Sequence, residues 1–436
     1  MAQLIHRGAV VLVALSIVAL YGWEAHARRA VDPTPLNRAD QAAYLNYARR
    51  MHETHYAVAG DRNRMPVFPF LLSLVYRRGM TDAEFLNRAQ SFNINLSILL
   101  LGLLSLILRK FFQPFYALAL LVVTAFGVFV YRAGTAAVEP LFYFLGFCSF
   151  VLLLEMLIAP RWWLAVLAGA TTALAYLTKA SMLPAIAIWA IVFVAQTFWQ
   201  YRSGSAQRLQ GVGQRFGQLL LALGAFGAVV FPYERTSKEL YGHYFFNANS
   251  AYYMWCNSWP EALAFTDAWR RGKVAPEDAP SPRKYWRDHS PGQIVERLLH
   301  GFKTLLTRSA KPAGYYKFIV LFILAAAMLA IRQPQRAWAI IRENAFAAAF
   351  CFFFFVAYVI LYAWYDLVVT DSRFVLSLFL PFVFALSLFV LRVGENCSIA
   401  IAGRRLAFAN MFAAMLIAGA LIDVCYNALR IARIAT

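Results

Sequence analysis

Continuous apolar runs of eighteen or more residues recur from one end of this sequence to the other. Each is long enough to cross the ~30 Å hydrocarbon core of a bilayer as a helix. The runs are unbroken and do not alternate with polar residues, so they predict helices and not barrel strands. Spans are expected near 9–26, 92–108, 115–131, 139–158, 162–178, 183–199, 217–233, 315–331, 345–363, 374–391 and 407–426. The predicted fold is an all-α polytopic membrane bundle of about eleven spans. It is read as one transmembrane domain over 1–436, with two long loops at 27–91 and 234–314.

The short polar connections set an orientation. Arg109 and Lys110, Arg161, then Arg202, Arg208 and Arg215 fall on one side. Arg332, Arg336, Arg342, Arg392, Arg404 and Arg405 fall on that side too. Short basic loops mark the cytoplasm, which places both long loops and 364–373 outside. The long loops are basic as well, but long loops translocate largely regardless of charge. An alternative at the start is a cleaved leader, because "VVLVALSIVALYGWEAHA" ends in a small-residue pattern at Ala25-His26-Ala27. Cleavage there leaves the first loop on the same side.

Composition agrees: 61% of residues are hydrophobic and only 14% charged, against about a quarter charged in soluble domains. The formal charge is +19, and in a membrane protein anionic lipids and lipid-linked phosphates are the expected partners rather than nucleic acid. Five cysteines offer neither a disulfide framework nor metal spacing, and His243, His289 and His300 are far apart. The glycines of "GVGQRFG" at 211–217 follow no strand and lack dinucleotide spacing, so they read as a connection. No internal repeat stands out.

Unusual charges gather on the outer side. Asp40 lies in "NRADQAAYLNYARRM", Arg64 in "RNRMPVFPFLLSLVY", and Arg132 follows the third span. Glu139 opens the fourth span, Lys179 closes the fifth in "AYLTKASMLP", and Asp371 and Arg373 open the tenth in "VVTDSRFVLSLFLP". Charges at bilayer edges tend to face a cavity and one another. Each also has an ordinary reading. Lys179, Arg132 and Arg373 are interfacial anchors on that view. Glu139 is a first-turn acid favoured by the helix dipole. Asp40 is the N-cap of an amphipathic helix. The aromatic stretch "AYYMWCNSWPEALAFTDAWRRG" of the second long loop reads equally as sugar-stacking or as interfacial.

The order of these motifs resembles the GT-C glycosyltransferases, in the branch of protein O-mannosyltransferases and lipid A aminoarabinose transferases. The likeness rests on Asp40 with Tyr44 four residues on and Ala48 four beyond, and on Arg64-Met65-Pro66-Val67-Phe68-Pro69. It continues through Glu139, Leu177-Thr178-Lys179 with Pro184, and the Asp371-Ser372-Arg373-Phe374 stretch, so it covers about residues 8–392. Two departures stand out: Gln41 occupies the place of a usual Glu, and the soluble C-terminal domain of some branches is missing. The resemblance implies an inverting transferase that takes a sugar from a polyprenyl-phosphate carrier and passes it to an acceptor at the outer face of an inner (plasma) membrane. Asp40 then serves as the base, with Tyr44, Arg64, Arg132, Glu139, Lys179, Asp371 and Arg373 in substrate binding. The acceptor is a glycan, lipid or protein. No cofactor is required by the pattern, although some relatives use a divalent cation.

Two other functions compete. A transporter or flippase places charges near the midplane and is often built from repeated halves. A polysaccharide polymerase or ligase of the cell envelope normally draws on a diphosphate carrier.

Overall fold

The computed structural model describes residues 2–31, 35–36, 40–57, 60–202, 208–274, 276–307, 315–401 and 404–435. Residues 37–39 of the first outer stretch and 203–207 of a basic connection lie outside them, as does the side chain of Arg404. The chain runs α1 (Ala2–Val31), α2 (Gln41–Glu53), α3 (Val67–Ser73), α4 (Asp82–Phe111), α5 (Pro114–Thr124) and α6 (Val130–Ala133). It continues through α7 (Glu139–Ile158), α8 (Trp162–Thr178), α9 (Leu183–Arg202) and α10 (Arg208–Tyr241). The second outer segment holds α11 (Ala248–Ala251), α12 (Trp259–Arg270), α13 (Pro282–Asp288) and α14 (Pro291–Thr307). Then follow α15 (Tyr316–Arg332), α16 (Pro334–Glu343), α17 (Ala345–Tyr365), α18 (Ser372–Val393), a hairpin of β1 (Ser398–Ile401) and β2 (Arg404–Ala407), and α19 (Phe408–Ala435).

The protein is thus a helical, multi-pass membrane protein. Eight helices among the described residues are long and apolar enough to cross a bilayer, or nine if α15 and α16 count as one broken span. The expected eleven also included α1 and α8; α8 is only seventeen residues long. The α15–α16 pair bends by 109° at Pro334, which lacks the N–H that would continue the first helix. The hairpin was not foreseen; its eight residues sit in the short basic connection before α19 and pair Ser398 with Ala407.

Helix starts follow local chemistry and explain why several helices overshoot their apolar cores. Thr81 caps α4 by accepting from Glu84 N, and Glu84 returns a bond to Thr81 N at 2.8 Å. This capping box starts the helix ten residues before its expected span at 92. Span three is interrupted by a π-helical turn at Ala125–Phe129, just before Tyr131 and Arg132. Such turns recur at functional sites because they re-aim the side chains that follow.

Close packing relies on small residues, as expected where lipid supplies no hydrophobic drive between helices. A Cβ on Gly169 of α8 would lie 2.0 Å from the Ala222 carbonyl oxygen of α10. Backbone cannot move away as a flexible side chain would. Gly169→Ala is therefore expected to lower stability by about 1–3 kcal/mol. Thermal unfolding of the purified protein in detergent checks this, and an unchanged midpoint would show that the two helices can part without cost.

Candidate functional site

Asp40 is the residue before α2 and stands in the N-cap position, yet its side chain makes no cap hydrogen bond. The carboxylate instead spans two guanidinium groups. Arg64 Nη2 donates to Oδ1 at 2.5 Å and Arg373 Nη1 donates to Oδ2 at 2.8 Å. Burial raises the Asp40 carboxyl, but Arg373 and Arg64 outweigh it and hold it at about 2, below the ordinary 3.8. The capping reading of the sequence therefore holds for the backbone only. A carboxyl lowered on folding stabilises the native state above its unfolded value of 3.8 and loses that contribution as pH falls toward 2.

Arg373 is the hub. Its Nη1 also lies 3.5 Å from Glu139 Oε1, and its Nε is 3.3 Å from Asp371 Oδ2. That Nε is buried and makes no hydrogen bond, so its tie to Asp371 is ionic only. Asp371 caps α18: its Oδ1 accepts from Arg373 N at 2.9 Å and from Arg132 Nη2 at 2.8 Å. Glu139, in the first turn of α7, is buried and lies 3.8 Å from Lys179 Nζ. Lys179 ends α8, and its ammonium sits over the rings of Phe142 and Phe374 at 5.3 and 5.2 Å.

All seven charged residues singled out from the sequence therefore belong to one connected cluster. It draws on the segment after α1, the α2–α3 connection, and the ends of α6, α7, α8 and α18. Four cations face three carboxylates, for a formal charge of +1. Six of the seven side chains remain 19–30% exposed, so a ligand can reach them; Glu139, at 3%, cannot be reached directly.

Tyr44, one turn into α2, is buried and packs edge-to-face on Phe68 at 5.3 Å. Burial raises its hydroxyl well above the usual value, and the nearby Asp40 and Glu139 add to this, so it stays protonated and can only donate or pack. Gln41, the residue standing where the resemblance has Glu, is buried and structural: its Oε1 accepts from Ala136 N at 2.8 Å. Three participants were not singled out. Asn63 Oδ1 accepts from Arg64 Nη1 at 2.6 Å. Asn93 Nδ2 donates to the Thr135 carbonyl at 2.8 Å and so fixes the turn after Arg132. Tyr143 donates its hydroxyl to the Arg373 carbonyl at 3.1 Å. Tyr143 lies four residues after Glu139 on one helix face, a spacing that could have flagged it.

The aromatic residues of the second outer segment mainly pack on one another. Tyr252, Phe265 and Trp269 form one group, and Trp255, Tyr285 and Trp364 another. Buried Arg297 of α14 ties this segment to α17 by donating to the Trp364 and Met254 carbonyls, both at 3.0 Å. His289 stacks on Tyr285. Among the described residues, no three His, Cys, Asp or Glu side chains gather as a metal site.

A cavity of about 900 Å³ elsewhere in the bundle does not hold this cluster. It lies among Lys110, Arg336, Arg392 and Glu395. Residue 155, beside Lys110, is sixteen positions along α7 from Glu139, about 24 Å of helix. The basic connections thus occupy the end of the bundle opposite the ionic cluster.

The fold and cluster together define a polytopic helical membrane protein with an ionic site at one end of its bundle. No protein-family model matches the sequence, and no curated protein does either. Two solved structures are similar. One is the archaeal oligosaccharyltransferase AglB from Archaeoglobus fulgidus, in complex with an inhibitory peptide and a dolichol-phosphate. It shares 15% identity over 97% of this chain and 56% of its own, with a TM-score of 0.46. The chain thus spans little more than half the length of that protein. The other is ArnT from Cupriavidus metallidurans bound to undecaprenyl phosphate, with 13% identity over 95% of this chain and 88% of its own, and a TM-score of 0.41. Likeness at this level makes no statement about chemistry.

Proposed function

We propose that this protein is an inverting glycosyltransferase that moves a sugar from a polyprenyl-phosphate carrier to an acceptor at the outer membrane–water boundary. The observation that supports the reading is Arg373, whose partly exposed guanidinium pairs with Asp40 inside a cluster of net charge +1. A resting carboxylate held at about 2 is a weak base. A phosphate arriving at Arg373 competes for the same guanidinium. As that contact shifts from Asp40 to phosphate, the carboxylate regains basicity at the moment the donor is in place.

The reaction then balances in one displacement. The acceptor oxygen attacks C1 of the sugar as its proton passes to Asp40. The bond from C1 to the phosphate oxygen breaks, and its electron pair leaves with polyprenyl phosphate. The leaving group gains negative charge as it departs, and Arg373, Lys179 and Arg132 stabilise it there. One base suffices, because a phosphate needs little acid help to leave and no glycosyl-enzyme forms. Glu139, buried against Arg373 and Lys179, orients both cations and stays off the substrate.

Charge favours a monophosphate carrier. A sugar linked through one phosphate is a diester with a single negative charge, which neutralises the cluster's +1. A diphosphate carrier brings two. Purified protein given both donor types should transfer only from the monophosphate; equal or preferential use of the diphosphate points to a polymerase or ligase. Transport across the membrane is disfavoured because the charges crowd one end of the bundle, at helix ends and in connections. The basic connections at the other end support an orientation with the cluster facing outward, which suits a protein of the inner membrane.

A further inference from the structure

A second group of cations lies one loop away from Asp40. Arg50 of α2, Arg62, and Arg270 of α12 line an open cavity of about 340 Å³ with Asp61, Tyr241 and Trp269. Three guanidinium groups face one carboxylate. That carboxylate is engaged elsewhere: Asp61 Oδ1 accepts from Asn63 N at 3.1 Å and Arg64 N at 2.9 Å, which shapes the loop. Arg50 is held from behind, donating to the Gly60 carbonyl at 2.5 Å and lying over the Tyr47 ring. Arg62 Nη1 is buried and has no hydrogen-bond partner among the described residues. That nitrogen is closed to the cavity, but the lining as a whole sets three guanidinium groups against one carboxylate, a balance that favours an anion there.

The walls are rigid and aromatic. Tyr241 stacks on Phe246 at 4.6 Å, and Trp269 lies nearly parallel to Phe265 at 6.1 Å. A ring-shaped ligand with an apolar face can pack on such aromatic side chains, which a bare ion cannot use.

The loop connects this cavity to Asp40. The Arg62 carbonyl accepts from Ala248 N at 2.8 Å, and the Asn63 carbonyl accepts from the Asn247 side chain at 3.3 Å. Two residues on, Arg64 grips Asp40. A two-residue step spans at most about 7 Å of backbone. Arg50 and Asp40 stand toward opposite ends of α2, about 15 Å apart along the helix, so an acceptor of more than one sugar spans from the groove to the carboxylate.

We propose that this groove binds the anionic group, carboxylate or phosphate, of an acidic sugar acceptor and so directs one of its hydroxyls toward Asp40. The proposal rests on the transferase reading and adds the acceptor's chemical class. The anionic group is a handle set apart from the reacting hydroxyl. It does not enter the bond-forming step.

Saturation-transfer NMR on the full chain in detergent micelles tests it with glucose, glucuronate and glucose 6-phosphate as probes. Transfer to at least one acidic sugar is expected at concentrations where glucose shows none, and the stronger of the two identifies the anion. The Arg62→Ala, Arg270→Ala double variant should weaken that binding at least about tenfold, as two charge-assisted bonds are lost. The corresponding double Lys variant should recover part of it. Equal signals from glucose, or unaltered binding by the Ala variant, overturn the proposal. So does inorganic phosphate that displaces the acidic sugar as well as the sugar displaces itself, because the groove is then an ion site only. Transfer assays separate the two readings. If acidic sugars bind but no sugar is transferred from any polyprenyl-linked donor, the transferase reading fails and the groove stands. If neutral and acidic acceptors are glycosylated with the same KM, the groove fails and the transferase reading stands.

Discussion

Replacing Asp40 by Asn should lower the rate of sugar transfer by about 10²–10⁴-fold, the usual contribution of a positioned base. The substitution keeps the shape of the side chain and removes its charge. Arg64 and Arg373 then face an amide that offers a single acceptor oxygen in place of two anionic ones. If Asp40 acted only as a structural counter-ion, its loss would loosen the cluster and weaken donor binding along with the rate. If it is the base, the two parameters separate. kcat falls, while KM for the polyprenyl-phosphate donor stays level or drops, because Arg373 no longer has to leave a carboxylate to meet the phosphate. Steady-state kinetics on protein of verified folding and yield reads the split. Full activity in Asp40→Asn, at unchanged protein levels, removes the base from the mechanism altogether.

The second large effect belongs to Arg373. It touches Asp40, Glu139 and Asp371, and buried ion networks that lose one partner leave uncompensated charges behind. Arg373→Gln should raise donor KM by roughly 10–100-fold, in line with the loss of one or two charge-assisted bonds. It should also move the pH profile. In the native protein, burial pushes the Asp40 carboxyl up, and Arg373 together with Arg64 brings it down to about 2. With Arg373 gone, burial regains ground and the carboxyl titrates at higher pH. The acid limb of kcat/KM should therefore shift upward, with Arg64 alone left to oppose burial. Arg373→Lys keeps the charge but lacks the planar fork that meets a phosphate through two nitrogens, so it should recover donor binding only in part. An acid limb that stays where it was in Arg373→Gln means that Asp40 does not control the profile.

Much of this site was legible because membranes restrict where charge can go. An ionic residue at the edge of an apolar run must face water, a cavity or another charge. Once the basic connections fix the sidedness, Asp40, Arg64, Arg132, Glu139, Lys179, Asp371 and Arg373 all fall at one end. The residues left unnamed show the limit. Asn63, Asn93 and Tyr143 are ordinary polar or aromatic side chains, and their importance lies in which distant backbone or guanidinium they meet. Gln41 shows the same limit from the other direction. Its place in the motif drew attention as a missing acid, whereas its amide serves to hold the turn at Ala136.

The amino-acid order alone determined the period of the apolar runs, hence a helical bundle in a bilayer, and the end to which each charge is assigned. Those properties are local: they follow from the cost of exposing backbone and charge to hydrocarbon, residue by residue. Only the tertiary structure decided the pairings. Nothing in the sequence says that Asp40 meets Arg373, 333 positions away, rather than capping its own helix. That choice depends on how α7, α8 and α18 pack, and on small residues such as Gly169 that let helix backbones approach closely.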